Sequence, residues 1–481
     1  MKLSDVISGI AKKAGTADLS MEIAGVSSDS RRVQPGELFV AVRGYESDGH
    51  QYIEAAVKKG AACVLCEEAP GMDIPYILTD NTRRALAAAA ANWYGNPSSG
   101  MTMIGVTGTN GKTTTTHMIK DIIEKCAGGK VGLIGTNYIV IGDGIYEEAH
   151  HTTPESTELQ MLFRKMADAG CTHVVMEVSS HALYLDRVHG VRFNVGVFTN
   201  LTQDHLDFHK TMTEYAAAKA KLFLLADKAV INFNDEYAEV MLNAAGRCAV
   251  TTYAIENDAA DVVAKRTRIF ADRVEFSALT MEKLQRFEIG IPARFTVYNA
   301  LAAISTGLIL GCELEAIADA LEAFRGVKGR LEVVPTGRDF TVIIDYAHTP
   351  DALENIIMPF KELETGRVVT LFGCGGDRDR TKRPLMGEIA ARLSDFVIVT
   401  SDNPRTEIPG KIIEDILEGM KGTGTPYTVI ENRREAIGWA IRNAQPKDII
   451  LLAGKGHETY QILGKEKVHF DEREIVREFL E

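Results

Sequence analysis

The chain has 481 residues, 45% hydrophobic and 25% charged, the balance of a globular protein with more than one core. That length predicts roughly three domains of ordinary size. A formal net charge of −13 excludes nucleic acid or an anionic membrane surface as the main partner, because both call for a basic face.

The first segment, MKLSDVISGIAKKAG, lacks the long apolar core of a signal peptide, and the longest apolar run, ALAAISTGLILGC, is too short and interrupted to span a bilayer. A cytoplasmic protein with no membrane insertion is expected. Seven cysteines form no framework spacing. Cys63 and Cys66, in AACVLCEE, have strand-like neighbours and are expected as a buried apolar pair rather than a zinc site. Residues 1–97 carry their own strand and turn signals, among them ELFVAVRG, and close in the linker-like YGNPSSG.

A different rhythm begins near residue 98. MTMIGV reads as a buried strand, and the helix after the next loop places Met118, Ile119, Ile122, Ile123 and Cys126 on one face. KVGLIG, THVVMEV, VGVFTN and KAVINF are further strands, so strands alternating with helices predict a mostly parallel sheet. Residues 256–292 shift to short alternating segments of antiparallel type, and FTVYNALAAISTGLILG predicts a long helix. From residue 329 another strand–helix series follows, with strands in TVIIDYA, RVVTLFG, FVIVTSD and DIILLAG. The expected fold is α/β in three domains: 1–97, a central P-loop ATPase-type domain over 98–328, and a C-terminal Rossmann-like domain over 329–481.

GVTGTNGKTTTT, residues 105–116, joins a strand to an amphipathic helix. Its backbone N–H groups and the helix N-terminus suit phosphates. Lys112 would neutralise the outer phosphates of a bound nucleotide, and the Thr113 hydroxyl would ligate Mg²⁺. Gly108, Thr109, Asn110, Gly111 and Thr114 complete the cradle. The pattern departs from G-x-x-x-x-G-K-T at Val106, with Gly105 and Gly108 on either side. Glu177 closes the strand THVVMEV on the same crevice, where a carboxylate suits Mg²⁺; alone it would equally be a solvated strand-end residue. His205 and His209, in TNLTQDHLDFH, are either ligands or loop histidines. In the last series GCGGDRDR, SDNPR and AGKGHE each follow a buried strand. Arg378, Arg405 and Glu458 are therefore expected to converge on one crevice. Two guanidiniums and a carboxylate suit an amino acid bearing an extra carboxylate and an extra amine.

TGTNGKTTT, EVSSHAL, FTNLTQDHLDFH, AAAK, VYNALAA, VKGRLEVV and DYAHTPDAL occur in this order. Together they closely resemble the Mur ligases, ATP-dependent enzymes that add amino acids to the bacterial cell-wall precursor. The resemblance runs from SSDSRRVQPGELFVAV through nearly the whole chain, and is greatest to the branch adding the third stem-peptide residue. It implies that the γ-carboxylate of D-glutamate in UDP-N-acetylmuramoyl-L-alanyl-D-glutamate is phosphorylated by ATP, and that an amine then displaces phosphate. It also implies that Glu177, His205 and Lys219 serve the metal site with Lys112 and Thr113, Lys219 as an N6-carboxylysine formed with CO₂. Composition alone would read Lys219 as part of a solvated helix face. Asn299, Arg330, Asp345 and His348 match ATP-contacting positions, which implies domain closure during turnover. Ser30 matches the uridine position; Thr152, Thr153, Ser179 and Arg187 match those holding the muramoyl dipeptide. Where some members have glutamine two residues before that arginine, this chain has Leu185. The DNPR motif, Asp402, Asn403, Pro404 and Arg405, goes with meso-diaminopimelate in this family, and Arg378, Gly454 and Glu458 match positions that bind it. L-Lysine, lacking the distal carboxylate, would leave Arg405 unpaired. A monomer is expected.

Two other readings stay open at this stage. Folylpolyglutamate synthase shares the ATPase core, although the SDSR turn and DNPR weigh against it. A nucleotide-gated scaffold would bind ATP without acceptor-dependent ADP release.

Overall fold

The computed structural model describes residues 1–44, 47–144, 146–149, 151–281, 283–361, 363 and 366–481. The chain divides into two compact units, Met1–Val263 with Leu301–Ile317, and Ala264–Ala300 with Ala318–Glu481.

The first unit holds two sheets. One consists of β1 (Ala14–Gly15), β2 (Val26–Ser27), β3 (Leu38–Val40), β4 (Cys63–Cys66) and β5 (Tyr76–Leu78), in the order β1-β5-β4-β3-β2, with only β1 antiparallel. Strand side chains alternate in direction. Leu38, Val40, Cys63 and Leu65 therefore fill one cluster, while Phe39, Val64 and Cys66 fill another on the opposite face. Burial pushes the Cys63 thiol up to about 12 and the Cys66 thiol up to about 11. The two point to opposite faces and form a buried apolar pair, as expected; all seven cysteines are free.

The other sheet of this unit comprises β6 (Thr102–Thr107), β7 (Val131–Ile134), β8 (Tyr138–Val140), β9 (Tyr146–Glu148), β10 (His173–Glu177), β11 (Phe193–Phe198), β12 (Ala226–Asn232) and β13 (Ala249–Ile255). Their order is β13-β12-β11-β6-β10-β7-β8-β9. Every pair from β13 to β7 is parallel, and β7, β8 and β9 turn back antiparallel. The register sets Val106 beside Glu177 and Thr107 beside Phe198, so three loops leave from one edge. Helix Lys112–Ala127 buries Met118, Ile119, Ile122 and Ile123, the predicted stripe, with Cys126 partly buried at its end.

β14 (Val262–Ile269) carries the chain into the second unit, where β15 (Val274–Leu279) and β16 (Leu284–Ile289) pair antiparallel. This is the antiparallel segment predicted from its alternation. The last large sheet has β17 (Glu332–Val334), β18 (Thr341–Asp345), β19 (Val368–Phe372), β20 (Phe396–Val399), β21 (Tyr427–Val429) and β22 (Ile449–Ala453), in the order β17-β18-β22-β19-β20-β21. All its pairs except β17/β18 are parallel. β19 and β22 are buried at every position, which explains their unbroken apolar sequence. A hairpin of β23 (Tyr460–Leu463) and β24 (Glu466–His469) follows. The fold is α/β with three main sheets and a mostly parallel central one. Among the described residues no helix is long and apolar enough to cross a membrane.

Candidate active site

The chain leaves β6 at Thr107 and turns through Gly108–Gly111 into helix Lys112–Ala127. Gly108 has φ +155°, and a Cβ there would collide with the Thr199 hydroxyl. That hydroxyl donates to Asn110 O at 2.6 Å, while Asn110 N donates to Asn200 Oδ1 at 2.9 Å. Lys112 Nζ donates to Gly108 O and Thr109 O, both at 2.9 Å. The loop is thus held open from two sides, with an ammonium and a helix N-terminus at its mouth. Thr113 O accepts from His117 Nδ1 at 2.7 Å. A carbonyl can only accept, so the proton lies on Nδ1 and Nε2 accepts the Tyr138 hydroxyl at 2.9 Å. Burial holds His117 below its ordinary value, consistent with this neutral ring.

Lys219 lies on helix Met212–Leu224, which Thr211 caps by accepting from Glu214 N at 3.2 Å. The solvated helix face that composition would assign is overturned: Lys219 is 1% exposed, and Ala216, Ala218 and Ala220 are buried with it. Its Nζ stands 4.5 Å from the centre of the Tyr215 ring. Burial first, and repulsion from Lys112 second, push its ammonium well below the usual lysine range, with Asp204 pulling the other way. Its site therefore favours the uncharged amine over the ammonium. The two loop histidines separate. His205, at φ 54°, is exposed and sits edge-on to His181 with ring centres 4.8 Å apart. His209 is buried, shares a 2.9 Å hydrogen bond with Ser180 Oγ, and stacks on Tyr215 at 5.0 Å. Burial is the main cause that lowers His209 to about 4.

Glu177, the last residue of β10, is 1% exposed. Its carboxylate accepts from Thr136 N at 2.9 Å and from Thr136 Oγ1 at 3.1 Å. Thr136 Oγ1 in turn lies 3.1 Å from Thr152 Oγ1. Thr153 Oγ1 donates to Glu177 O at 2.8 Å and accepts from Ser179 N at 3.0 Å. Arg187 Nη1 donates to Thr153 O at 2.9 Å, and its Nη2 pairs with Glu155 at 2.6 Å. Thr152, Thr153, Ser179 and Arg187 are therefore one connected wall. Beside it a cavity of about 430 Å³ is lined by Arg187, Glu155, His181, Leu185, Arg83 and Asp207, among others. Leu185 brings an apolar side chain where a glutamine could have bonded. Ser30, partly buried in its turn, is not among the lining residues. Arg83 went unnoticed in the sequence because TRRAL opens a helix like any solvated first turn.

In the second unit Asn299 is buried on helix Arg294–Ile309. Asp345 ends β18, its Oδ2 accepting from Leu331 N and its Oδ1 from Ala347 N, both at 2.8 Å. Burial raises its carboxyl while Arg330 opposes that rise. The Arg330 guanidinium lies 5.3 Å from the Tyr346 ring centre, and His348 Nδ1 donates to Tyr346 O at 2.8 Å. Arg330, Asp345 and His348 thus gather around Tyr346.

A cavity of about 400 Å³ in this unit is lined by Arg378, Asp402, Asn403, Arg405, Gly454 and Glu458, together with His348, Asp379 and Lys382. The convergence predicted from three strand ends is present. Pro404 lies off the lining, its carbonyl accepting from Glu407 N at 3.1 Å. Arg405 sits at φ 51°, uncommon for a residue with a Cβ, held by its N–H on Ile462 O and by Gly464 N on its carbonyl. Arg405 Nη1 donates to Gly376 O at 2.8 Å. Gly454, at φ 117°, admits the Asp402 carboxylate so closely that a Cβ would lie 2.8 Å from Oδ2. That Oδ2 is buried with no hydrogen-bond partner. Sequence reading also missed Glu407, which follows the DNPR motif by two residues. Arg383, Arg380 and Asp377 N all bond to its carboxylate, Arg383 most of all, and hold it at about 2.

A phosphate loop, a buried lysine and a charged cavity on α/β sheets are the parts that an ATP-using ligase calls for. Three family models match: "Mur ligase family, catalytic domain" over residues 22–94, "Mur ligase middle domain" over 106–307, and "Mur ligase, glutamate ligase domain" over 329–456. The UDP-N-acetylmuramoyl-L-alanyl-D-glutamate–2,6-diaminopimelate ligase of Caldanaerobacter subterraneus subsp. tengcongensis is 50% identical over 485 aligned residues, covering 100% of this chain and 99% of that one. A solved structure of a ligase with the same printed name aligns with a TM-score of 0.76 at 31% identity, covering 100% of this chain and 98% of its own. A Mycobacterium tuberculosis folylpolyglutamate synthase aligns with a TM-score of 0.61 at 18% identity, covering 78% of this chain and 92% of its own, a likeness of fold alone. This chain belongs to the Mur ligase family.

Gly108→Ala is expected to weaken ADP binding at least tenfold with helix content unchanged, because the loop must move to clear Thr199; isothermal titration and circular dichroism check this. His209 generates a pH dependence. Its folded value, about 4, lies below the ordinary 6.5. The unfolded chain takes up a proton as pH falls from about 6.5 toward 4 while the folded chain does not, so stability drops across that window. His209→Asn should show a shallower loss of unfolding free energy between pH 7 and pH 5 in urea titrations.

Proposed function

We propose that this chain joins meso-2,6-diaminopimelate to UDP-N-acetylmuramoyl-L-alanyl-D-glutamate in peptidoglycan synthesis, converting ATP to ADP and phosphate. The observation that carries the proposal is the second unit's cavity, where Arg378 and Arg405 accompany Asp402 and Glu458. A zwitterionic distal centre, one carboxylate and one ammonium, pairs with both signs there, whereas the tail of lysine offers only a cation. The reading assigns residues 1–97 to the UDP-sugar, with Ser30 at the uridine, 98–328 to ATP and 329–481 to the amino acid. It takes the enzyme as a cytoplasmic monomer.

The chemistry follows from the charges. A carboxylate is a poor acyl donor, so its γ-oxygen attacks the γ-phosphorus of ATP and ADP leaves. Lys112 and the loop N–H groups stabilise the negative charge spreading over the transferring phosphoryl group. The amine nitrogen then attacks the acyl carbon, the tetrahedral adduct expels phosphate, and the nitrogen loses a proton to complete the amide. Arg187, Thr152, Thr153 and Ser179 hold the dipeptide, while Asn299, Arg330, Asp345 and His348 grip ATP. Among the described residues no three His, Cys, Asp or Glu side chains form a metal site. Glu177 and the Thr113 hydroxyl supply hard oxygen donors, and His205 adds an imidazole. An ammonium at Lys219 would repel a cation, but once unprotonated its buried amine can add CO₂ and release a proton, giving a carbamate with two more oxygens. On that footing these four residues fit Mg²⁺, which would neutralise phosphate charge when bound.

Lys219→Ala is expected to lose nearly all turnover and to recover part of it in formate or acetate. In the intact enzyme equilibrated with ¹³C-bicarbonate, a carbamate carbon resonance should be present that Lys219→Ala lacks. Phosphate release with the dipeptide substrate should depend on diaminopimelate and yield tripeptide, and Arg405→Ala should chiefly raise the KM for diaminopimelate. Release with L-lysine instead would discard the specificity, and no acceptor-dependent release at all would discard the ligase reading.

A further inference from the structure

Behind the amino-acid cavity lies a residue of the AGKGHE stretch that the cavity lining does not include. Lys455 is 0% exposed, between Gly454 and the Gly456 turn. Its Nζ donates to Glu458 Oε2 at 2.9 Å and to Asn403 Oδ1 at 3.2 Å. Asn403 Nδ2 donates to the same Glu458 Oε2 at 2.9 Å, and Ile462 N donates to Asn403 Oδ1 at 2.9 Å. Two donors on Oδ1 and one acceptor at Nδ2 leave the Asn403 amide a single orientation. The rings of Tyr460 and Phe470 flank the ammonium at 5.7 and 5.8 Å. Burying a cation is costly unless its bonds are specific, and these bonds all end on two residues of the cavity wall.

Two consequences follow. Glu458 Oε2 is occupied by two donors from the protein, so Oε1 is the oxygen left to meet a ligand ammonium. The second concerns net charge. The lining carries three cations, Arg378, Lys382 and Arg405, against three anions, Asp379, Asp402 and Glu458. Lys455 behind the wall tips that balance to positive. A positive surround disfavours the cationic tail of lysine but leaves a zwitterionic tail indifferent, because the latter carries no net charge.

We infer that Lys455 is a positioning residue for amino-acid selection: it aims Glu458 at the distal ammonium and sets the cavity charge against lysine. The inference rests on the diaminopimelate reading, and the test separates the two. Lys455→Met, which keeps the length of the side chain but removes charge and donors, is compared with wild type and with Lys455→Arg, which keeps the charge. Steady-state rates are measured with meso-diaminopimelate and with L-lysine, alongside the KM for ATP.

Lys455→Met is expected to raise the KM for diaminopimelate roughly tenfold to a hundredfold, the worth of hydrogen bonds to a charged group. The kcat should change far less than that KM, the KM for ATP should hold, and the preference for diaminopimelate over lysine should shrink. Lys455→Arg should retain more of that preference. A Lys455→Met enzyme with unchanged preference, or one losing kcat alone, would overturn the inference while leaving the diaminopimelate reading intact. A wild-type enzyme that prefers lysine would overturn both. If Lys455→Met yields no folded protein, Lys455→Gln is held to the same outcomes.

Discussion

Parallel strand pairing is the constraint on which the rest depends. In a parallel sheet each strand ends at the same edge, so every loop leaving a carboxyl end meets the others whatever its distance in sequence. The register that sets Val106 beside Glu177 and Thr107 beside Phe198 brings the phosphate loop, the Glu177 carboxylate and the Thr199–Asn200 turn together. In the second unit Asp345 lies beside Ala453, and Phe372 beside Val399. The residues just beyond those ends, Gly373, Asp402 and Gly454, line one cavity. Pairing between apolar backbones thus decides where the polar chemistry stands.

The charges gathered in this way are handled in two contrasting manners. Arg383 is buried against Glu407 and Asp415, and Arg433 against Glu472, each guanidinium meeting carboxylate oxygens. Such pairs hold loops in place: Glu407 also fixes Asp377 and Arg380, and with them the loop bearing Arg378. Lys219 is the other kind. It is buried beside an aromatic ring and repelled by Lys112, so burial lowers its proton affinity instead of finding it a partner. A buried amine without a counter-charge holds its proton less tightly, which favours its uncharged form.

Much of the fold was legible because its signals are local. Continuous apolar runs marked β19, β20 and β22, and an apolar stripe at helical spacing marked the helix after the phosphate loop. The loop itself was legible, since strand, glycines, Lys112 and Thr113 are contiguous. Arg378, Arg405 and Glu458 were legible by one further step, each standing after a buried strand. Lys219 was not, because AAAK on a helix has the same composition whether that face meets water or Tyr215. The two histidines of DHLDFH look alike as residues, yet one is at the surface and the other stacks in the core. Arg83 and Glu407 carried no local mark, and Lys455, although it stands in AGKGHE, gave no sign of its bond to Asn403, far along the chain.

The amino-acid sequence by itself determined the α/β alternation, the phosphate loop and the list of residue types available for catalysis, because periodicity and glycine placement act over a few residues. Only the tertiary structure decided which side chains are dry, which carboxylate oxygens are already occupied and which charges stand within reach of one another. Burial and electrostatic coupling depend on distances in space, and those distances are set by strand register and helix packing across hundreds of residues.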